Sequence, residues 1–173
     1  ADIGPGLFTG LRVGFATATT LASALEVPMV GISSLDLLAH AAHLTDRLIV
    51  AAVDARRGEL FAALYRPVPG GVLLEVGPSV VTPDELASEL VARAEECLLV
   101  GDGVRRYAEV FADVDHSRIG GPELDHPSAG VLVGLPRPVA AALAVQPLLG
   151  GRRLLTESDD GPEALRAAVT SPG

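Results

Sequence analysis

The sequence contains no Lys, no Asn and no Trp, so all 13 of its basic side chains are Arg. Without Lys there is no P-loop, which needs an ammonium group on the β- and γ-phosphates, and no Schiff-base chemistry. The single cysteine, Cys97, excludes an internal disulfide and any cysteine-based zinc cluster, and it fits a reducing compartment. Aromatic residues are scarce, at 3%, and with abundant Arg, Ala, Gly and Pro this fits a GC-rich coding bias rather than a functional demand. The 22 acidic residues outweigh the basic ones to give a net charge of −9, which argues against unaided electrostatic grip on nucleic acid. No apolar run reaches the roughly 18 residues needed to cross a bilayer, and Ala1–Gly6 is no signal peptide, so the default is a cytoplasmic protein.

What remains is an ordinary globular composition over 173 residues, 49% of them hydrophobic and 20% charged. Ala1 to Gly4 reads as the end of a strand entering a turn, so the chain reads as a fragment. The spacing of Leu11, Phe15, Ala18, Ala22 and Leu25 predicts a helix over Thr9 to Glu26. A short buried strand follows at Pro28 to Ile32, then a helix over Leu35 to Leu44 with Ser33 as N-cap. At Leu48 the pattern changes to a hairpin: strand Leu48 to Val53, turn Asp54 to Gly58, strand Glu59 to Tyr65. Gly71 to Val76 and Ser79 to Val81 supply two more strand pieces, interrupted by Gly77-Pro78. Thr82, Pro83, Asp84 and Glu85 then mark a helix start, followed by a strand at Cys97 to Val100 and a helix at Val104 to Phe111. Beyond residue 112 the sequence predicts loops, then a short helix over Pro127 to Leu135. This is an α/β chain with a boundary near residue 46.

Gly4, Gly6 and Thr9 lie in a turn between a strand and a helix, where backbone N–H groups and the helix dipole can face an anion. The same residues also suit a plain tight turn that needs positive φ. Gly10, Gly14, Ala18 and Ala22 recur every four residues, a stripe that admits close approach of another helix, internal or from a partner. His40 and His43 share a helical face without an evident third metal ligand, and Ser33-Ser34 reads as capping rather than as a nucleophile. Asp54, Arg56, Gly58 and Glu59 concentrate charge in a hairpin turn, ordinarily a solvated feature. Gly101-Asp102-Gly103 repeats the strand-Gly-x-Gly-helix plan of Gly4-Pro5-Gly6.

Three motifs, Gly4-Pro5-Gly6-Leu7-Phe8-Thr9-Gly10-Leu11-Arg12-Val13-Gly14, Val30-Gly31-Ile32-Ser33-Ser34-Leu35 and Asp54-Ala55-Arg56-Arg57-Gly58-Glu59, stand in an order and spacing that resembles the TsaB (YeaZ) family. The resemblance is specific over residues 4–66. It is looser to 135, through Val100-Gly101-Asp102-Gly103 and His126-Pro127-Ser128-Ala129, and poor beyond. It implies the fold of the actin-like/Hsp70-type ATPase superfamily, built of two RNase H-like α/β halves. Residues 1–46 would be the remainder of an incomplete first half, 47–135 the second half, and 136–173 a divergent, poorly ordered tail. The family's opening strands with their Asp-Thr loop have no counterpart here, nor does its Tyr-Leu-Arg near the C-terminus, where Gln146-Pro147 is followed by Leu148-Leu149. An exposed sheet edge is expected where those strands belong.

The resemblance also implies a role. Family members partner a TsaD-type catalytic subunit in forming N6-threonylcarbamoyladenosine in tRNAs that read codons beginning with A. The catalytic relative's His-x-x-x-His metal pair falls on Ser34 and Leu38 of this chain, and neither can replace an imidazole. The expectation is a scaffold subunit with no catalytic residues, metal or cofactor of its own, the partner holding ATP and metal. Homodimerisation and a TsaE-type ATPase are further pairings, tRNA is met only through the complex, and no membrane is involved. Because the family pairs through helices of its first half, Gly10, Gly14, Ala18 and Ala22 become the expected partner interface, while Gly4, Gly6, Thr9 and Arg12 form the candidate anion loop of the family motif. Two rivals are a nucleotide-binding phosphotransferase or ATPase of the same superfamily, and a metallopeptidase, which fails on the lost metal pair.

Overall fold

The computed structural model describes residues 1–6 and 8–134; the tail expected at 136–173 lies outside the described residues. The first element is helix α1 (Phe8–Ala24), and a single parallel bridge joins Asp2 before it to Ile32 after it. The strand expected at Pro28 to Ile32 is thus reduced to one bridge, held by Ile3 N–H to Ile32 O at 3.0 Å and Ile32 N–H to Ala1 O at 2.8 Å. Helix α2 (Ser34–Ala41) follows, and Ser33 caps it as expected, its Oγ accepting from Leu35 N–H at 3.2 Å.

A five-stranded sheet carries the core. Its strands are β1 (Leu48–Arg56), β2 (Glu59–Val68), β3 (Gly71–Val81), β4 (Cys97–Val100) and β5 (Ser117–Ile119), in the order β3-β2-β1-β4-β5. β2 runs antiparallel to β1 and β3, whereas β4 runs parallel to β1 and β5 parallel to β4. The period-two alternation of a strand divides the core into two layers. Ile49, Ala51, Ala63 and Tyr65 face α2, with Leu35, Leu37 and Leu38 packed on them. Leu48, Val50, Ala52, Leu60 and Leu64 face the other way, onto α3 (Pro83–Arg93) and α4 (Asp102–Arg106) with α5 (Ala108–Phe111). Helix α6 (Ala129–Gly134) closes the described chain.

Four expectations change. The strand through Gly77-Pro78 is continuous, because β3 is an edge strand and its register shifts absorb the proline there. The helix expected over Val104 to Phe111 is two short helices broken at Tyr107, whose φ of −113° is not helical. β5 replaces part of an expected loop, and the hairpin turn shrinks to Arg57-Gly58 because β1 runs on to Arg56.

Local chemistry explains the firmest elements. Thr82 Oγ1 accepts from Glu85 N–H at 3.3 Å while the Glu85 carboxylate accepts from Thr82 N–H at 2.8 Å, a complete capping box. Gly101 has a φ of +107°, and a Cβ there would collide with the Ala52 carbonyl; a Cβ on Gly103 would lie 2.6 Å from Leu60 Cδ2. Both glycines exist so that α4 can lie directly on β1, and their likeness to Gly4-Pro5-Gly6 is one of packing.

Candidate functional site

The glycine turn, α1, the β1–β2 hairpin and α4 meet around one cleft of about 530 Å³. The turn is stitched to α2 from below. Asp2 Oδ1 accepts from Gly4 N–H at 2.8 Å and from Ser34 Oγ at 2.7 Å, and Ser34 N–H donates to Gly4 O at 2.8 Å. Gly4 has a φ of +91° and a Cβ there would stand 2.8 Å from Leu11 Cδ1, so the residue must be glycine for conformation and for space alike.

Of the candidate anion loop, Gly6 lines the cleft, while Thr9 and Arg12 do not. The Arg12 guanidinium instead lies over the Phe8 ring, 4.7 Å from its centroid. The acidic side chains Asp2, Asp54, Asp102 and Asp125 line the same cleft with Arg56, and Arg106 and Arg105 pair with Asp54 at 3.4 Å and with Asp125 at 3.0 Å. Among the described residues, no three His, Cys, Asp or Glu side chains are grouped as metal ligands.

The hairpin motif is a brace. Arg56 N–H donates to Asp54 Oδ1 at 2.9 Å, and Asp54 Oδ2 faces Arg106 Nη1 at 3.4 Å and Arg56 Nη1 at 3.6 Å. Asp54 N–H donates to Asp102 Oδ1 at 3.1 Å, so the turn is tied to α4. Positive φ at Arg56, Arg57 and Gly58 makes the chain reverse tightly, and Glu59 is exposed opposite Arg56 in the ladder. Asp54 is therefore not merely solvated: its side chain is 6% exposed and serves as the anchor between hairpin and helix.

Helix α1 is the outlier in burial. None of its 17 residues is buried, and Phe8, Val13, Phe15 and Leu21 stand open to solvent. The chain after it leaves Leu25, Val27, Met29 and Val30 exposed as well. Gly10, Gly14 and Ala18 line the cleft, and a Cβ on Gly10 or Gly14 would meet nothing within 4 Å among the described residues. Ala22 is half-buried on the same helix but outside the cleft lining.

Ser34 and Leu38, on which the resemblance would place the catalytic relative's metal pair, are otherwise engaged: Ser34 on Asp2, and Leu38 wholly buried under the sheet. His40 and His43 stack with centroids 4.7 Å apart, and His43 Nδ1 lies 2.6 Å from His40 O. Burial, then the neighbouring His43, lowers the His40 pKa. Cys97 is buried, which pushes its thiol up to about 11 and leaves it unreactive. Sequence reasoning missed Asp2, Asp102, Asp125 and His126 as cleft residues, since they come together only through the fold.

Comparison with known proteins gives two family matches: residues 3–113 to "TsaD: tRNA N6-adenosine threonylcarbamoyltransferase" and residues 127–173 to "Pyrroline-5-carboxylate reductase dimerisation". The chain is 35% identical over 113 residues to the tRNA threonylcarbamoyladenosine biosynthesis protein TsaB of Bacillus subtilis, covering 64% of this chain and 48% of that protein. It is 33% identical over 110 residues to TsaB of Escherichia coli, covering 62% and 48%. The chain thus spans about half the length of the curated relatives it matches. Among solved structures it is similar to YeaZ from Pseudomonas aeruginosa, with a TM-score of 0.64, 28% identity and coverage of 78% of this chain and 62% of that one. A second Pseudomonas aeruginosa structure, of a protein with similarity to peptidase YeaZ, gives a TM-score of 0.68 at 28% identity, covering 84% and 68%. The sheet and these neighbours fit the actin-like, RNase H-like ATPase fold. With its family match running from residue 3 to residue 113, the chain belongs to the TsaD family, on its TsaB (YeaZ) side.

Proposed function

We propose that this chain acts in tRNA threonylcarbamoyladenosine biosynthesis as a cytoplasmic subunit without catalytic activity of its own, docking a TsaD-type catalytic subunit through α1. The observation that carries the reading is a helix of 17 residues with none buried, in a chain whose other long elements are packed. A helix rich in exposed Phe, Val and Leu, with glycines at two successive turns, is built to be covered by a closely approaching partner. The partner holds ATP and the metal, a TsaE-type ATPase joins the assembly, and tRNA is met through the complex. In the partner's absence the same face pairs two copies of this chain.

Reconstitution tests it. The purified chain, alone with tRNA, ATP and the threonylcarbamoyl donor, is expected to form no modified nucleoside, and to raise its formation when added to the TsaD-type subunit. Modification by the chain alone would overturn the reading.

The cleft favours a second reading, a nucleotide-binding phosphotransferase or ATPase module, since Gly6 and the turn before α1 border a space of nucleotide scale. ATP hydrolysis abolished by Gly6→Val would establish it. Residues 127–173 carry their own reading, a self-associating segment, from the match to the reductase dimerisation family.

A further inference from the structure

The outer strand β5 and the groove beside it form a second surface, away from α1. In the β4–β5 ladder, His116 O accepts from Cys97 N–H at 3.1 Å and Gly120 N–H donates to Leu99 O at 2.8 Å. By the alternation of a parallel ladder, the N–H and C=O of Ile119 then point away from the sheet. Beside them lies a groove of about 330 Å³, lined by Leu44, Leu98 and Leu124 together with Arg47 and Arg118. Leu44 is 91% exposed, a large apolar side chain held almost entirely in water. Arg47 pairs with Glu96 at 3.1 Å, whereas Arg118 makes no ion pair among the described residues. Among the described residues no carboxylate lines the groove itself, Glu96 being held on Arg47 and the Glu123 carboxylate lying against Gly121 at its edge, although the chain carries 22 acidic residues against 13 basic ones.

We propose that β5 and this groove dock an extended, acidic segment of a partner protein. The segment adds as a strand along β5, its backbone meeting Ile119, its alternate apolar side chains covering Leu44 and its carboxylates meeting Arg118. Main-chain pairing supplies affinity, and the arginines in an otherwise acidic chain select the charge of the occupant.

The test uses the whole chain and a fluorescein-labelled peptide of alternating Val and Glu, with a Val–Lys peptide beside it. The Val–Glu peptide is expected to bind saturably and to slow hydrogen exchange at the Ile119 amide, while the Val–Lys peptide does neither. Arg118→Glu and Leu44→Asp are each expected to weaken binding by about tenfold. Both side chains are exposed, so the variants keep the native thermal unfolding transition. Equal binding of both peptides, unchanged exchange at Ile119, or full affinity in Arg118→Glu overturns the proposal, as does light scattering that shows Arg118→Glu abolishing a dimer of this chain instead. Variants of α1 leave the result unchanged, so this test and that of the α1 interface fail separately.

Discussion

Tyr65 Oη donates a 2.8 Å hydrogen bond to Asp36 Oδ1, tying the central antiparallel strand of the sheet to α2 at a point where both residues are buried. Asp36 Oδ2 has no hydrogen-bond partner among the described residues. Burial raises the Asp36 carboxyl to about 6, against the opposing pull of the Tyr65 hydroxyl and the Ser33 backbone, and it raises the Tyr65 phenol as well.

The sign of the pH effect follows. A folded chain that keeps the Asp36 proton up to about pH 6, which the unfolded chain releases near pH 4, loses stability as pH rises between those values. Asp36→Asn keeps an acceptor for Tyr65 and removes the buried charge, so it is expected to gain about 2 kcal/mol above that window and to flatten the slope within it. Urea unfolding across the window checks this, and a slope that survives in Asp36→Asn contradicts it. Tyr65→Phe removes the one side-chain hydrogen bond to the buried Asp36 carboxyl among the described residues and is expected to cost about 1–3 kcal/mol.

Gly101→Ala is expected to prevent folding or cost more than about 3 kcal/mol, since it adds a collision with Ala52 to a strained φ. Gly58→Ala is the contrast: its φ of +84° is equally unfavourable, but nothing lies within 4 Å, so the cost is only about 1 kcal/mol. Thermal unfolding of the two variants side by side separates crowding from backbone strain.

Thr82→Ala removes the side-chain oxygen that accepts from Glu85 N–H, and with it one half of the capping box that starts α3. The expected loss is about 1 kcal/mol. Thr82→Ser, which keeps the oxygen, is expected to lose much less. Denaturant midpoints decide it, and equal losses in the two variants would deny the cap any role.

How much of this was legible depends on the range over which each element is determined. The capping box, the Ser33 cap and the Leu48–Tyr65 hairpin are local patterns, and they appear where the sequence places them. β5 was not legible, because Ser-Arg-Ile has no apolar run and becomes a strand only by pairing with β4. The break at Tyr107 was hidden inside a helical pattern that α4 and α5 share. At the site, the small-residue spacing of Gly10, Gly14 and Ala18 could be read directly. The carboxylates opposite could not, since Asp2, Asp54, Asp102 and Asp125 are brought together from four separate segments. Gly101 and Gly103 repeat the plan of Gly4-Pro5-Gly6 in sequence, but spacing alone does not show that Ala52 and Leu60 press on them.

The central claim is that α1 is a covered face in the working assembly, and its most direct measurement is size-exclusion chromatography with light scattering. The chain is mixed with a TsaD-type subunit, with Gly14→Arg alongside. Among the described residues nothing lies within 4 Å of the Gly14 Cβ position, so the variant is expected to keep its fold and its unfolding transition. The account predicts a complex for the native chain and none for Gly14→Arg; a complex formed equally by both contradicts it.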